Sequence, residues 1–123
     1  MKDKRHQLGR DSEQLAALYL QEHGYEIIQH NFRTRFGEID IIARENKTIV
    51  FIEVKSRTSA NYGYAVQALT RKQQLRLSKT ALTYLHQNHL KNQSARFDVV
   101  AIQKDPQSGI DIRLIKNAFE FYL

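Results

Sequence analysis

Cysteine and tryptophan are absent from the 123 residues, proline occurs once and glycine five times. Without cysteine there is no disulfide framework, thiolate zinc site, iron–sulfur cluster or cysteine nucleophile. Nor is there an apolar run near the roughly 20 residues a membrane helix needs, and the polar, charged start Met1–Arg10 is unlike a signal peptide. The chain has neither a phosphate-binding glycine loop nor a Gly-x-Ser-x-Gly elbow, so P-loop nucleotide hydrolysis and serine esterase chemistry have no support. What is present is a hydrophobic content of 41%, enough for a core in one domain spanning residues 1–123. The expectation is a small, soluble, cytoplasmic domain.

Acidic residues are missing from one long stretch. The chain has 19 basic and 13 acidic residues, net +6. No Asp or Glu lies between Val54 and Phe97, where Lys55, Arg57, Arg71, Lys72, Arg76, Lys79, Lys91 and Arg96 give +8. The other 11 basic and 13 acidic residues leave −2. A solvated surface usually mixes the signs, so this segregation points to a polyanionic partner.

Hydrophobic spacing and turn signals predict the order αβββαββ, a mixed sheet with helices packed on it. The first helix is expected from about Ser12 to His23, with Asp11 as N-cap, Gln14 at the capping-box spacing and Gly24 as the stop. Glu13 shares a face with Ala16, Ala17 and Leu20, so it could point inward. Leu15, Leu18 and Tyr19 form a second apolar face, which predicts a well-buried helix. Strands follow at about Tyr25–Asn31, Gly37–Arg44 and Thr48–Ser56, the last two joined by the turn Glu45-Asn46-Lys47. Residues 56–70 read as a loop containing Tyr62 and Tyr64. A second helix, about Arg71 to Gln87, stacks Leu75, Ser78, Leu82 and Leu85. Strands at about Arg96–Gln103 and Ile110–Lys116 close the chain.

The hairpin carries the chemistry. A turn centred between Asn46 and Lys47 sets Ile42 opposite Phe51, Asp40 opposite Glu53, and Glu38 opposite Lys55. Residues 38, 40, 42, 51, 53 and 55 then share one face. Opposed carboxylates repel, and a divalent cation between Asp40 and Glu53 would offset this, with the Val54 carbonyl as a third oxygen. Such hard ligands, open to water, suit Mg²⁺ or Mn²⁺. Lys55, roughly 7 Å along the strand from Glu53, could hold a water or stabilise charge on a phosphorane-like transition state. A second Glu-x-Lys, Glu45-Asn46-Lys47, sits in a polar turn only five residues after Asp40 and is set aside.

Asp-x12-Glu-x-Lys is the arrangement of the PD-(D/E)XK nucleases. The chain also resembles a family through Leu8-Gly9, Glu13, Ala16-Ala17, Tyr19-Leu20, Gly37-Glu38-Ile39-Asp40, Phe51–Arg57, Lys72 and Arg96–Val100, in the family's order. It is similar to the YraN-like family of small bacterial proteins, which resemble Holliday-junction resolvases and restriction endonucleases. That resemblance implies a restriction-endonuclease-like three-layer α/β fold and a metal-dependent endonuclease or exonuclease acting on DNA, including branched or repair intermediates. It implies Asp40, Glu53 and Lys55 as the active-site core and Glu13 as an accessory acid. Because resolvase-like proteins often act as dimers, it also implies a homodimer. Two positions depart from the pattern. Ser12 stands where the family often has glycine, and Ile39 replaces the proline of the superfamily motif.

Blander readings stand beside these. Asp40, Glu53 and Lys55 could form a surface network with Lys55 paired to Glu38, worth about 0–1 kcal/mol. An acid in a first helical turn, such as Glu13, favourably opposes the helix dipole. Lys72, Arg76 and Lys79 form one stripe on the second helix, with no acid nearby, and are assigned with Arg57 to phosphate contact. Tyr62 and Tyr64 could stack on bases or pack locally. His86 and His89 read as exposed helix-end residues, and Asn92-Gln93-Ser94 lacks a secretory context. The alternatives to a nuclease are a non-catalytic nucleic-acid-binding module and a basic domain that docks on an acidic protein.

Overall fold

The computed structural model describes residues 4–57, 69–105, 107 and 109–122, with the side chains of 4–11 excepted. The elements are α1 (Lys4–Glu22), β1 (Glu26–Thr34), β2 (Gly37–Glu45), β3 (Thr48–Arg57), α2 (Arg71–Gln87), β4 (Ser94–Asp105) and β5 (Gly109–Phe119). Their order is the expected αβββαββ. The five strands form one sheet in chain order. All neighbouring pairs are antiparallel except β3 and β4, which α2 joins as a crossover.

β3 is the apolar centre of the sheet, and its two faces nucleate two cores. Ile49 and Phe51 pack with Phe97, Val99 and the Leu77, Ala81, Tyr84 and Leu85 face of α2. Val50 and Ile52 pack with Val100, Ile102 and the Ala16 and Leu20 face of α1. A helix therefore flanks each face of the sheet. Phe119 stacks on Phe97 with ring centroids 4.4 Å apart, and Phe121 lies at the same distance. The chain end thus completes the α2-side core.

Several expectations change. α1 begins at Lys4, so Asp11 lies inside the helix and does not cap it. Residues 4–11 contain no proline, and one internal Gly9 costs only about 1 kcal/mol relative to alanine. Leu18 is 58% exposed, so the second apolar face of α1 is not buried. Gly24 does stop the helix, at φ +88°. β1 runs on to Thr34. α2 keeps its expected limits, and of the expected stack Ser78 and Leu85 are buried while Leu75 and Leu82 are partly exposed; Leu77, Ala81 and Tyr84 complete the inward seam. A capping box fixes its start, with Gln73 N–H donating to Thr70 Oγ1 at 3.1 Å and Thr70 N–H to Gln73 Oε1 at 2.9 Å.

Candidate functional site

The β2–β3 hairpin follows the expected register from Glu45↔Thr48 to Ile41↔Ile52. Asn46 adopts φ +54°, the left-handed conformation that two-residue hairpin turns favour. Pairing then stops one rung before Asp40. Instead, Asp40 Oδ2 accepts the Val54 N–H at 2.8 Å, so a side chain replaces the backbone acceptor. An extended residue points its N–H and C=O to the same edge. The Val54 carbonyl therefore faces the fork beside Asp40.

The two carboxylates meet at this fork through their side chains. Glu53 is 17% exposed and lies within reach of the Asp40 charge. Burial first, and then the Asp40 charge, push Glu53 up to about 8. Burial also raises Asp40, against the lowering effect of the Val54 N–H. Their burial and mutual repulsion favour the protonated over the ionised form at this pair. Lys55 Nζ stands 3.7 Å from Glu53 Oε1. Glu38 takes a different partner, Arg33, at 3.3 Å, so the Glu38–Lys55 pair does not form.

The shared face also needs correction. Ile39 and Ile42 both enter the α2-side core, while Ile41 lies on the α1 side. Period-two alternation would separate Ile39 from Ile42, so β2 departs from regular pleating at Asp40. The Asp40 charge acts both on Glu13 of α1 and on Glu53 of β3. On the α1 side, Glu13 is half-buried and raised by burial and by the Asp40 charge. With its amide nitrogen turned to the acids, Asn31 donates to Glu13 at 3.2 Å and to Glu38 at 2.9 Å. On the α2 side, Glu53, Lys55, Glu38 and Arg76 line a cleft of about 160 Å³.

Lys72, Arg76 and Lys79 are exposed on α2, and Arg57 is exposed at the end of β3. Tyr62 and Tyr64 lie outside the described residues. His86 and His89 are exposed, as expected. Arg96, however, is removed from the basic surface. Its guanidinium donates to Asp98 at 2.9 Å, to Glu45 at 2.7 Å and to the Tyr25 hydroxyl at 2.8 Å. Asp98 is fully buried and also accepts from Tyr25 and from the Asn117 N–H.

Sequence reasoning missed Asn31, which takes φ +53° within β1, and the hairpin tip Arg33–Phe36. A signal for the tip was available. Ile27–Gly37 is a second acid-free stretch, and it contains Arg33 and Arg35.

Among the described residues, no group of three or more His, Asp or Glu side chains is arranged to hold a metal ion. The donor set at the fork is two carboxylates and one carbonyl. Two buried acids that raise each other mark a place where a positive charge would let both ionise. Hard oxygen donors of this number fit Mg²⁺ or Mn²⁺ that keeps water or a substrate phosphate as its other ligands. No described helix is long and apolar enough to cross a membrane.

The sequence model of the family described as "Uncharacterised protein family UPF0102" matches residues 12–102. A UPF0102 protein of Syntrophus aciditrophicus (strain SB) is 54% identical over 112 residues, 91% of this chain and 87% of that one. Its counterpart in Geobacter metallireducens is 50% identical over 113 residues, 92% of each chain. That of Caldicellulosiruptor saccharolyticus is 44% identical over 114 residues, 92% of this chain and 97% of that one. Among solved structures, "The structure of Pyrococcus Furiosus SfsA in complex with Ca2+" aligns with a TM-score of 0.40 at 14% identity. That alignment covers 93% of this chain and 64% of the other.

Proposed function

The chain belongs to the uncharacterised protein family UPF0102, and from its carboxylate fork we propose a metal-dependent nuclease-like protein acting on DNA, with a restriction-endonuclease-like fold. The observation that carries this reading is the meeting of Asp40, Glu53 and the Val54 backbone where β2 and β3 part, with Lys55 3.7 Å from Glu53. Paired buried acids destabilise a fold unless something uses them, and the cleft beside them opens onto Arg76.

In this reading Asp40, Glu53 and the Val54 carbonyl hold Mg²⁺ or Mn²⁺. The cation, when bound, polarises the phosphodiester and acidifies water. The chain's own groups then divide the work. Lys55 directs its ammonium to the attacking water or to the charge growing on phosphorus. Glu13 supplies an accessory acid from α1. Arg57, Lys72, Arg76 and Lys79 hold the backbone, which favours weak sequence preference. Water adds to phosphorus, one P–O ester bond breaks, and the departing oxygen takes a proton.

Branched, single-stranded and duplex DNA incubated with Mg²⁺ or Mn²⁺ test the reading. Asp40→Asn and Lys55→Ala should each lose on the order of a hundredfold or more in cleavage rate, with DNA binding retained. Cleavage that persists unchanged in both variants would remove the assigned site.

A further inference from the structure

The tip of the β1–β2 hairpin has no part in either core, yet it is firmly built. Phe36 is half-buried and belongs to neither apolar cluster. Its N–H donates to Thr34 Oγ1 at 3.1 Å, and Thr34 Oγ1 lies 3.2 Å from Thr80 Oγ1, tying the turn to α2. Two cations gather on the Phe36 ring. Arg35 stands 4.9 Å from its centroid and Lys79 stands 5.5 Å. Arg76 lines the adjoining groove of about 500 Å³ with Arg33, Arg35 and Phe36. Among the described residues, Arg35, Arg76 and Lys79 form no ion pair. Arg33 is paired with Glu38.

Glu38 also lines the groove but is taken by Arg33, so the cations around the ring repel each other and the group suits a polyanion. An aromatic ring and a guanidinium add something phosphate binding does not need, a surface on which a base can stack. Bases inside a duplex hide their faces, whereas unpaired ones present them. Arg76 lines both this groove and the cleft beside Glu53 and Lys55, so the two are contiguous.

We propose that the hairpin tip, with Arg76 and Lys79, is a contact site for an unpaired nucleotide: the base stacks on Arg35 and Phe36, and Arg76 and Lys79 take the flanking phosphates. The proposal rests on reading the chain as a nucleic-acid-processing protein, and narrows its substrate to DNA with a single-stranded segment. The turn is already held by Thr34 and Thr80, so little ordering is required on binding.

Fluorescence anisotropy in EDTA, with labelled single-stranded and duplex oligonucleotides of equal length, tests this apart from cleavage. The parent should prefer the single strand. Phe36→Ala should weaken single-strand binding on the order of tenfold and leave duplex binding nearly unchanged. The chain has no tryptophan, so Phe36→Trp places the sole indole at the contact. Its emission should be quenched by a saturating single strand, which also reports on a variant whose fold is kept. Unchanged affinity in Phe36→Ala together with unquenched Phe36→Trp overturns the contact site, even if the protein cleaves DNA. Equal binding of poly-glutamate, insensitive to Phe36, overturns it in favour of an acidic protein partner. Absence of all nucleic-acid binding at low salt overturns it along with the proposed function.

Discussion

Ser12 is 2% exposed, and its hydroxyl finds no hydrogen-bond partner among the described residues. A buried unpaired hydroxyl costs about 1–3 kcal/mol, and inside α1 serine is also a poorer helix former than alanine. Ser12→Ala should therefore stabilise the fold by about 1 kcal/mol, read as a higher denaturation midpoint with an unchanged slope. An unchanged or lower midpoint would show that the hydroxyl is satisfied in solution. The adjacent Glu13 differs in kind. Its carboxylate is raised by burial and by Asp40, but the Asn31 amide offsets part of that effect. Such a contact across β1 could not be read from the sequence, because it needs Asn31 in a left-handed conformation within a strand.

At the scale of elements, α2 carries three of the four assigned phosphate contacts, so its start matters. Thr70 and Gln73 satisfy each other's backbone N–H groups there. Thr70→Ala should cost about 1 kcal/mol, and thermal melts against the parent would measure it. No loss of stability would mean that tertiary packing holds the first turn without the cap. The limits of α2 were legible because its apolar spacing is long and its ends are marked, but of its inward seam only Ser78 and Leu85 were. Leu75 and Leu82 fit the helical period as well as Leu77, Ala81 and Tyr84 do, and only the sheet beneath decides between them. The hairpin register was equally legible, since a short turn at Asn46 fixes every rung beyond it. Where the ladder ends was not. That depends on the Asp40 carboxylate capturing the Val54 N–H, a competition between side chain and backbone invisible to hydrophobic pattern.

At the scale of the whole molecule, the described residues place two groups of charge on opposite faces of the sheet. On the α1 side, Arg96 is neutralised within a network of Asp98, Glu45 and Tyr25, and Glu45 also binds Lys116 at 3.0 Å. The α2 side carries the exposed Lys72, Arg76 and Lys79 and opens onto Glu53. The raised carboxylates give stability a defined pH dependence. Glu53 has an ordinary value of 4.5 and is pushed up to about 8 in the fold, so the native state binds its proton more tightly than the unfolded state. Its stabilisation is full below 4.5 and is lost as pH rises towards about 8. Asp40 and Glu13 are raised too and act in the same direction. Glu45 is lowered, chiefly by its hydrogen bond to Arg96, so its contribution is present above 4.5 and fades only in stronger acid. The metal-free protein should therefore melt at a lower temperature at the alkaline end of this window than at the acid end. Metal binding requires the ionised acids and stabilises only the folded state. Millimolar Mn²⁺ should therefore raise the melting temperature most at the alkaline end. In Asp40→Asn the metal-free slope should flatten and the Mn²⁺ effect should vanish. Scanning calorimetry at both ends, with and without Mn²⁺, checks all three; a parent that ignores Mn²⁺ at the alkaline end would mean that Asp40 and Glu53 are a structural pair.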